Sequence, residues 1–402
     1  MDQSNEAALA EKRYARFWRI LRPIVVVVLR LLFSYTAEPA GSFDGPTIVM
    51  SNHTTGMDQI YIGCSFKKPL YYVGGEHLYR MGGPLRWFLD RYRPVIPRVK
   101  GSTDASAAAG MLRAIKSGRQ VCIYPEGNMT FTGVTLPLHP TTARLVKAAK
   151  GARLITYRVT GGYLADPRWA LKRRRGRQHG AVCRVYSPEE IASMSTAELA
   201  RNIREDLRVD AYEEQRRSGH RYTGTRLAEQ LETALYICPK CGGTGTLKSS
   251  GNRFSCSCGL DLTVDSLGRF SGPGAPFPDL LSWDAWQEEE VSRMASAAGD
   301  GPVFSDPGQT LWESFPDHSS ARVCSGELSL GPAGLSIGEL SFPLREITGV
   351  DLVLKDRLFF SSGGKNYYVT SDRLRSGRKY VTLFGYLRDN ARKEAAEKKR
   401  EL

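Results

Sequence analysis

Short apolar runs of strand length alternate with helix-forming stretches through the first half of this chain, and that alternation limits what it can fold into. Thr47-Ile48-Val49-Met50, Val121-Cys122-Ile123-Tyr124 and residues 154–159 read as buried strands. Residues 70–73 and Pro94-Val95-Ile96-Pro97 add extended segments. Residues 104–117 read as a helix: Ser102 or Thr103 supplies the cap, alanines fill the interior and Gly118 ends it. Residues 85–91 and 141–150 are helical too, the second stopped by Gly151. Strands alternating with helices predict an α/β domain.

The pattern changes later. Residues 188–217 form a polar helical stretch. Beyond about residue 322, strands of four to eight residues follow one another between turn signals, up to a helix near 380–393. A chain of 402 residues exceeds one ordinary core. The expected divisions are an N-terminal helical segment at 1–40, an α/β domain at 41–220, a cysteine module at 221–270, a linker at 271–320, and a small β-rich domain with a C-terminal helix at 321–402.

The eight cysteines do not form a disulfide framework. Cys238-Pro239-Lys240-Cys241 and Cys256-Ser257-Cys258 instead make two close thiol pairs, each followed by a glycine that permits a tight turn. Two such pairs can close a tetrahedral Zn²⁺ site. With four protein thiolates there is no open position, so the predicted role is structural. The module looks like a zinc ribbon. No nucleic-acid partner is expected, because such binding needs a basic face. From residue 181 onward the chain has 28 Lys/Arg against 31 Asp/Glu.

The basic charge lies elsewhere. Residues 1–180 hold 28 Lys/Arg against 11 Asp/Glu, which suits an anionic partner. Near the N-terminus, Phe17-Trp18-Arg19-Ile20-Leu21-Arg22 leads into the apolar residues 24–32. That run is interrupted by arginines and lacks a small-residue cleavage site, so it reads neither as a secretory signal nor as a clean membrane span. It reads as a helix lying in the membrane interface, with Pro23 kinking or dividing it. A buried core helix with arginines at its edges is the alternative. Residues 172–177 form a basic loop, solvated or touching anionic headgroups.

Three further blocks bear on chemistry. Asn52-His53-Thr54-Thr55-Gly56-Met57-Asp58 follows a buried strand. An imidazole is a suitable base near neutrality, and a carboxylate on its far nitrogen would orient it. Residues five apart sit about 140° apart on a regular helix, so His53 and Asp58 can meet only if a turn leads into a helix there. Next, Val95-Ile96-Pro97-Arg98, with Lys100 nearby, ends an extended segment on a guanidinium able to fork onto phosphate. Finally, Tyr124-Pro125-Glu126-Gly127-Asn128 delivers a carboxylate and a bare backbone into a turn, where Glu126 could accept substrate hydroxyls.

Taken in order, these blocks resemble those of the glycerolipid acyltransferases, most closely the PlsC-like 1-acylglycerol-3-phosphate acyltransferases. The resemblance covers roughly residues 15–190. It implies a mixed sheet flanked by helices, docked on the cytoplasmic face of a membrane by N-terminal helices. It implies that His53 is the general base, that Asp58 orients it, and that Arg98, Glu126 and Gly127 bind the glycerol phosphate, with Lys100 and Asn128 beside them. The donor would be an acyl thioester, acyl-CoA or acyl carrier protein, and the acceptor a membrane lipid.

Two blocks depart from the family pattern. Asn128-Met129-Thr130 stands where Thr-Arg-Ser is usual, and Tyr157 stands where a later block often has proline. Both departures concern the acceptor more than the reaction, so another lysophospholipid or a glycolipid is the alternative acceptor. A reading of another class is an inactive membrane-bound scaffold carrying a zinc ribbon.

Overall fold

The computed structural model describes residues 3–75, 83–98, 105–317 and 319–401. The chain divides into two compact units, the second built mainly from Thr225–Leu402.

The first unit begins with α1 (Gln3–Leu32), β1 (Tyr35–Ala37), β2 (Thr47–Ser51), α2 (Asp58–Ser65) and β3 (Leu70–Gly75). It continues through α3 (Gly83–Tyr92), β4 (Val95–Arg98), α4 (Ala105–Lys116), β5 (Gln120–Ile123) and α5 (Thr142–Ala148). Then come β6 (Arg153–Thr160), α6 (Gly162–Ala165), β7 (Gln178–Tyr186), α7 (Pro188–Ser193), α8 (Thr196–Leu207) and α9 (Ala211–Ser218). The strands form one seven-stranded sheet in the order β1-β7-β6-β2-β5-β3-β4. Every pairing is parallel except β6 with β7. This is the expected mixed α/β sheet.

The central strand explains why the runs are apolar without alternation. Every residue of β2 is buried, because helices cover both faces. Ile48 and Met50 pack with Val121, Ile123 and Leu154 against α4, α5 and α8. Val49 points the other way, with Cys122 and Ile155, toward α2 and Leu29 of α1. Full burial of each aliphatic side chain contributes roughly 1.5–3 kcal/mol.

The polar stretch 188–217 is three helices rather than one. Ser187 with Glu190 and Ser195 with Glu198 each form a capping box, so each Ser-x-x-Glu starts a new helix. In α8, Leu199, Ile203 and Leu207 supply the buried face.

Helix α1 runs unbroken past Pro23. Pro23 and Arg19, the residue four earlier, are both exposed, so water can take the carbonyl that proline leaves without a donor. One face of α1 is bonded to the unit: Tyr14 Oη donates to Leu70 O, Trp18 Nε1 to Phe66 O and Arg22 Nε to Cys64 O. The opposite face leaves Ile20, Ile24, Val27 and Leu31 more than half exposed, at 64, 57, 55 and 65%.

The basic run 172–177 is only partly solvated. Lys172, Arg175 and Arg177 are exposed, but Arg174 is buried. Arg173 lies over the Phe33 ring, pairs with Asp166 at 3.3 Å and donates to the Tyr61 hydroxyl. Both side chains are thus engaged within the unit instead of standing fully in solvent.

The second unit opens with β8 (Leu247–Ser250), β9 (Arg253–Cys256), β10 (Asp261–Val264) and β11 (Phe270–Ser271), a four-stranded antiparallel sheet. Helix α10 (Leu280–Ser296) follows, then β12 (Phe304–Ser314), β13 (Ser320–Gly331), β14 (Gly334–Ile337), β15 (Leu340–Pro343), β16 (Ile347–Val353), β17 (Arg357–Ser362), β18 (Lys365–Ser371) and α11 (Arg378–Glu401). Strands β12 to β18 form a seven-stranded antiparallel sheet in the order β15-β14-β13-β12-β18-β17-β16. The segment 271–320, expected as a linker, therefore contains a long helix and the central strand of this sheet. Trp283 of α10 is fully buried, against Phe254 and Phe270. Arg378 of α11 pairs with Asp284 of α10 at 2.5 and 2.8 Å. The Ser-Gly-Pro-Gly-Ala-Pro run at 271–276 marks only a turn, and the helix after it buries Asp284 and Gln287 beside Leu280, Trp283 and Val291.

Candidate active site

Strand β2 ends at Ser51, and the chain then turns before α2 begins at Asp58. Asn52 fixes the point of departure. Its amide donates to Val159 O and accepts from Val159 N, both at 2.9 Å. A buried side chain thus completes the ladder to β6 where the β2 backbone leaves it.

The turn closes on Asp58, which is fully buried. Its Oδ2 accepts from Thr54 N at 2.6 Å, Thr55 N at 2.9 Å and His53 Nδ1 at 2.8 Å. Its Oδ1 accepts from the Thr54 hydroxyl at 3.1 Å. A buried carboxylate is tolerated when donors surround it in this way. His53 and Asp58 therefore do meet, through a turn entering a helix. With Asp58 accepting at Nδ1, Nε2 is left as the basic ring nitrogen.

The loop after β5 completes the setting. The Tyr124 ring stacks on the His53 imidazole, centroids 4.1 Å apart and planes 16° apart. Glu126 Oε1 accepts the His53 main-chain N–H at 2.7 Å, and Oε2 accepts that of Leu136 at 2.6 Å. Glu126, expected to face substrate hydroxyls, has both oxygens engaged by main chain. Burial pushes its carboxyl up to about 8, against the pull of those two donors and with a further rise from Asp58. Gly127 has φ +73°, the left-handed conformation that favours glycine. Asn128 Oδ1 accepts from Met129 N at 3.0 Å and from Arg168 Nη1 at 2.9 Å.

Arg98 ends β4, where it pairs with Gly75; its side chain and Lys100 lie outside the described residues. Arg168 went unseen in the sequence. It also donates to Met129 O and lies over the Phe131 ring, bracing the Asn128-Met129 turn from 40 residues away. No local pattern announces such a contact. Tyr124 and Asn52 stood inside the motifs, but only the fold gives them partners.

Residues 34–160 match the family model of the acyltransferases. The match runs from just before β1 through β6, so it takes in His53, Asp58 and Glu126. Among solved structures, the 1-acyl-sn-glycerophosphate (LPA) acyltransferase PlsC from Thermotoga maritima is similar over 51% of this chain and 80% of that one, with 18% identity and a TM-score of 0.39.

The second unit holds the cysteine cluster. The sulfurs of Cys238, Cys241, Cys256 and Cys258 all lie within 4.8 Å of one another. Cys238 and Cys258 are 3.7 Å apart, Cys241 and Cys256 3.8 Å. A tetrahedron with Zn–S bonds of about 2.3 Å has edges of about 3.8 Å, so these sulfurs fit a Zn²⁺ ion. Both knuckles use one hydrogen-bond pattern. Cys238 N donates to Gly243 O, and Gly242 N to Cys238 O. Cys256 N donates to Leu260 O, and Gly259 N to Cys256 O. The second knuckle is one residue shorter, as its C-x-C spacing requires. Gly242 and Gly259 both have positive φ, at +68° and +87°.

The raised pKa of Glu126 has a signed consequence for stability. A folded-state pKa of about 8, above the ordinary 4.5, stabilises the fold fully below the lower value and loses that contribution as pH rises through the upper one. Glu126→Gln lacks the titration. The stability of wild type relative to this variant should therefore fall between about pH 4.5 and about pH 8.5 in paired urea-unfolding curves. A difference independent of pH would contradict the assigned environment.

Proposed function

We propose that this protein is an O-acyltransferase that moves a fatty acyl group from a thioester, acyl-CoA or acyl carrier protein, to the free hydroxyl of 1-acylglycerol-3-phosphate. The product is phosphatidic acid. The observation that carries the reading is the His53–Asp58 pair, 2.8 Å apart, with the imidazole just beyond the end of a central strand and the carboxylate buried at the start of α2.

In this mechanism His53 Nε2 takes the proton of the acceptor hydroxyl as its oxygen attacks the thioester carbonyl. Asp58 stabilises the imidazolium that forms. The tetrahedral oxyanion collapses, the C–S bond breaks, and the departing thiolate takes the proton from His53. An ester and a free thiol result, with no acyl-enzyme. Arg98 and Lys100 are the proposed phosphate contacts, with Gly127 and Asn128 beside the acceptor. The substituted turn at Asn128-Met129-Thr130, bonded to Arg168, favours keeping another lysophospholipid or a glycolipid as the second reading.

The same proposal places the protein at the cytoplasmic face of a membrane, where such thioesters are found. No described helix is long and apolar enough to cross a membrane. Helix α1 instead offers an interfacial surface: Ile20, Ile24, Val27, Val28 and Leu31 are exposed, with Arg16, Arg19 and Arg30 beside them. Leu85 and Trp87 of α3 are exposed as well. Zn²⁺ in the cysteine cluster would be structural, fixing two loops without an open coordination position.

Purified protein offered acyl-CoA and a panel of acceptors should acylate lysophosphatidate, and His53→Ala should lower the rate about 10³-fold or more. Transfer only to a non-phosphorylated acceptor would remove Arg98 from its proposed role. No transfer to any acceptor would favour the scaffold reading. Pure protein should contain about one zinc per chain, and Cys238→Ser much less; undiminished zinc would refute the site. Flotation with anionic vesicles should carry wild type, and the double variant Ile24→Glu, Val28→Glu should bind at least about tenfold more weakly.

A further inference from the structure

The loop after β5 holds His53 from three directions. The Tyr124 ring lies flat on the imidazole at 4.1 Å. The His53 main-chain N–H donates to Glu126 Oε1 at 2.7 Å, and the His53 carbonyl accepts from Thr130 N at 3.2 Å. Both polar groups of the His53 backbone are thus tied to one seven-residue loop, while its ring is tied to Asp58.

That loop is itself fixed. Gly127 N donates to Tyr124 O at 3.0 Å, and His139 N donates to Pro125 O at 2.8 Å. Arg168 holds Asn128 Oδ1 and Met129 O. Glu126 links the loop to His53 on one oxygen and to the outgoing chain, at Leu136 N, on the other.

We propose that Glu126 is a positioning residue for His53, gripping the main chain of the base instead of the hydroxyls of the substrate. The inference rests on the acyl-transfer reading for what the base does, but the geometry is independent of it. Each Glu126 oxygen accepts a main-chain N–H in a short, directional bond, measuring 2.7 and 2.6 Å. Turning Glu126 outward to bind an acceptor would release both donors. The ring nitrogen that takes the proton must lie within hydrogen-bond reach of the acceptor hydroxyl, and Asp58 fixes the ring only in rotation about its own bond. The backbone fixes where the ring starts. A shift of about 1 Å in such a group costs on the order of 10²-fold in rate.

The test compares the unaltered 402-residue chain with Glu126→Ala and Glu126→Gln in two ways. In steady-state acylation of lysophosphatidate, Glu126→Ala should lower kcat on the order of 10²-fold and leave the acceptor KM within about twofold. Glu126→Gln keeps one carbonyl acceptor and should recover part of the loss. In amide hydrogen exchange, the N–H groups of His53 and Leu136 should exchange at least about tenfold faster in Glu126→Ala, while those of β2 keep their protection. A KM raised about tenfold at unchanged kcat would overturn the proposal in favour of substrate contact. Unchanged exchange at His53 would overturn it too. Should wild type transfer no acyl group, the functional reading fails, and the exchange measurement still decides the role of Glu126. If Glu126→Ala does not fold, Glu126→Gln carries both comparisons.

Discussion

A buried carboxylate governs the first unit. Asp58 is removed from water at the first position of α2, a burial that is tolerated only where donors converge on it. The backbone of Thr54 and Thr55 supplies two, the Thr54 hydroxyl a third and His53 a fourth. Satisfying one charge therefore dictates a turn, and the turn fixes the imidazole. Positions that would stand on different faces of a helix are brought to 2.8 Å because the helix has not yet begun at His53. The N-terminal location helps again, since negative charge is favourable at the start of a helix.

The sheet determines where this turn can be. Strands β6, β2 and β5 are neighbours and parallel, so their carboxyl ends point the same way. The segment carrying His53 leaves β2, the loop carrying Glu126 leaves β5, and Val159 near the end of β6 receives Asn52. In open α/β sheets, binding crevices form beyond such strand ends, where loops are free to vary while the strands stay rigid. One wholly buried strand therefore accounts for both the apolar reading of residues 47–50 and the rigidity of the residue that follows them.

The degree to which the sequence was legible follows from the range of the interactions. The strands β2, β5 and β6 could be read directly, because burial on both faces leaves continuous apolar runs. The His53–Asp58 pair could be read because its constraint is local, spanning five positions. The knuckles could be read for the same reason: cysteine and glycine spacing encodes the turn itself. Arg168 could not, since it reaches Asn128 from 40 residues away and packs on Phe131 through the face of its guanidinium. Arg173 and Arg174 were misread for a related cause. In a run of basic residues solvation is the default, and only the fold brings Phe33, Tyr61 and Asp166 to one of them. Residues 271–320 read as a linker because a dense Gly/Pro turn outweighs the helix after it, whose buried Trp283 packs on Phe254 and whose Asp284 pairs with Arg378, both outside the helix.

The same contrast bears on what the motif residues do. A short pattern states which residue types stand near a reaction, but it does not say which of them touch the substrate. Glu126 sits in a block that suggests substrate contact, yet the atoms it meets are main-chain donors of His53 and Leu136. Asp58 shows the same behaviour, with three of its four bonds going to the turn and one to the ring. Two acidic side chains thus spend their hydrogen-bonding capacity on fixing one histidine, Asp58 from the ring side and Glu126 from the backbone side. Acid–base catalysis by a single imidazole gains little from further charge and much from fixed geometry, because proton transfer needs heavy atoms within about 3 Å.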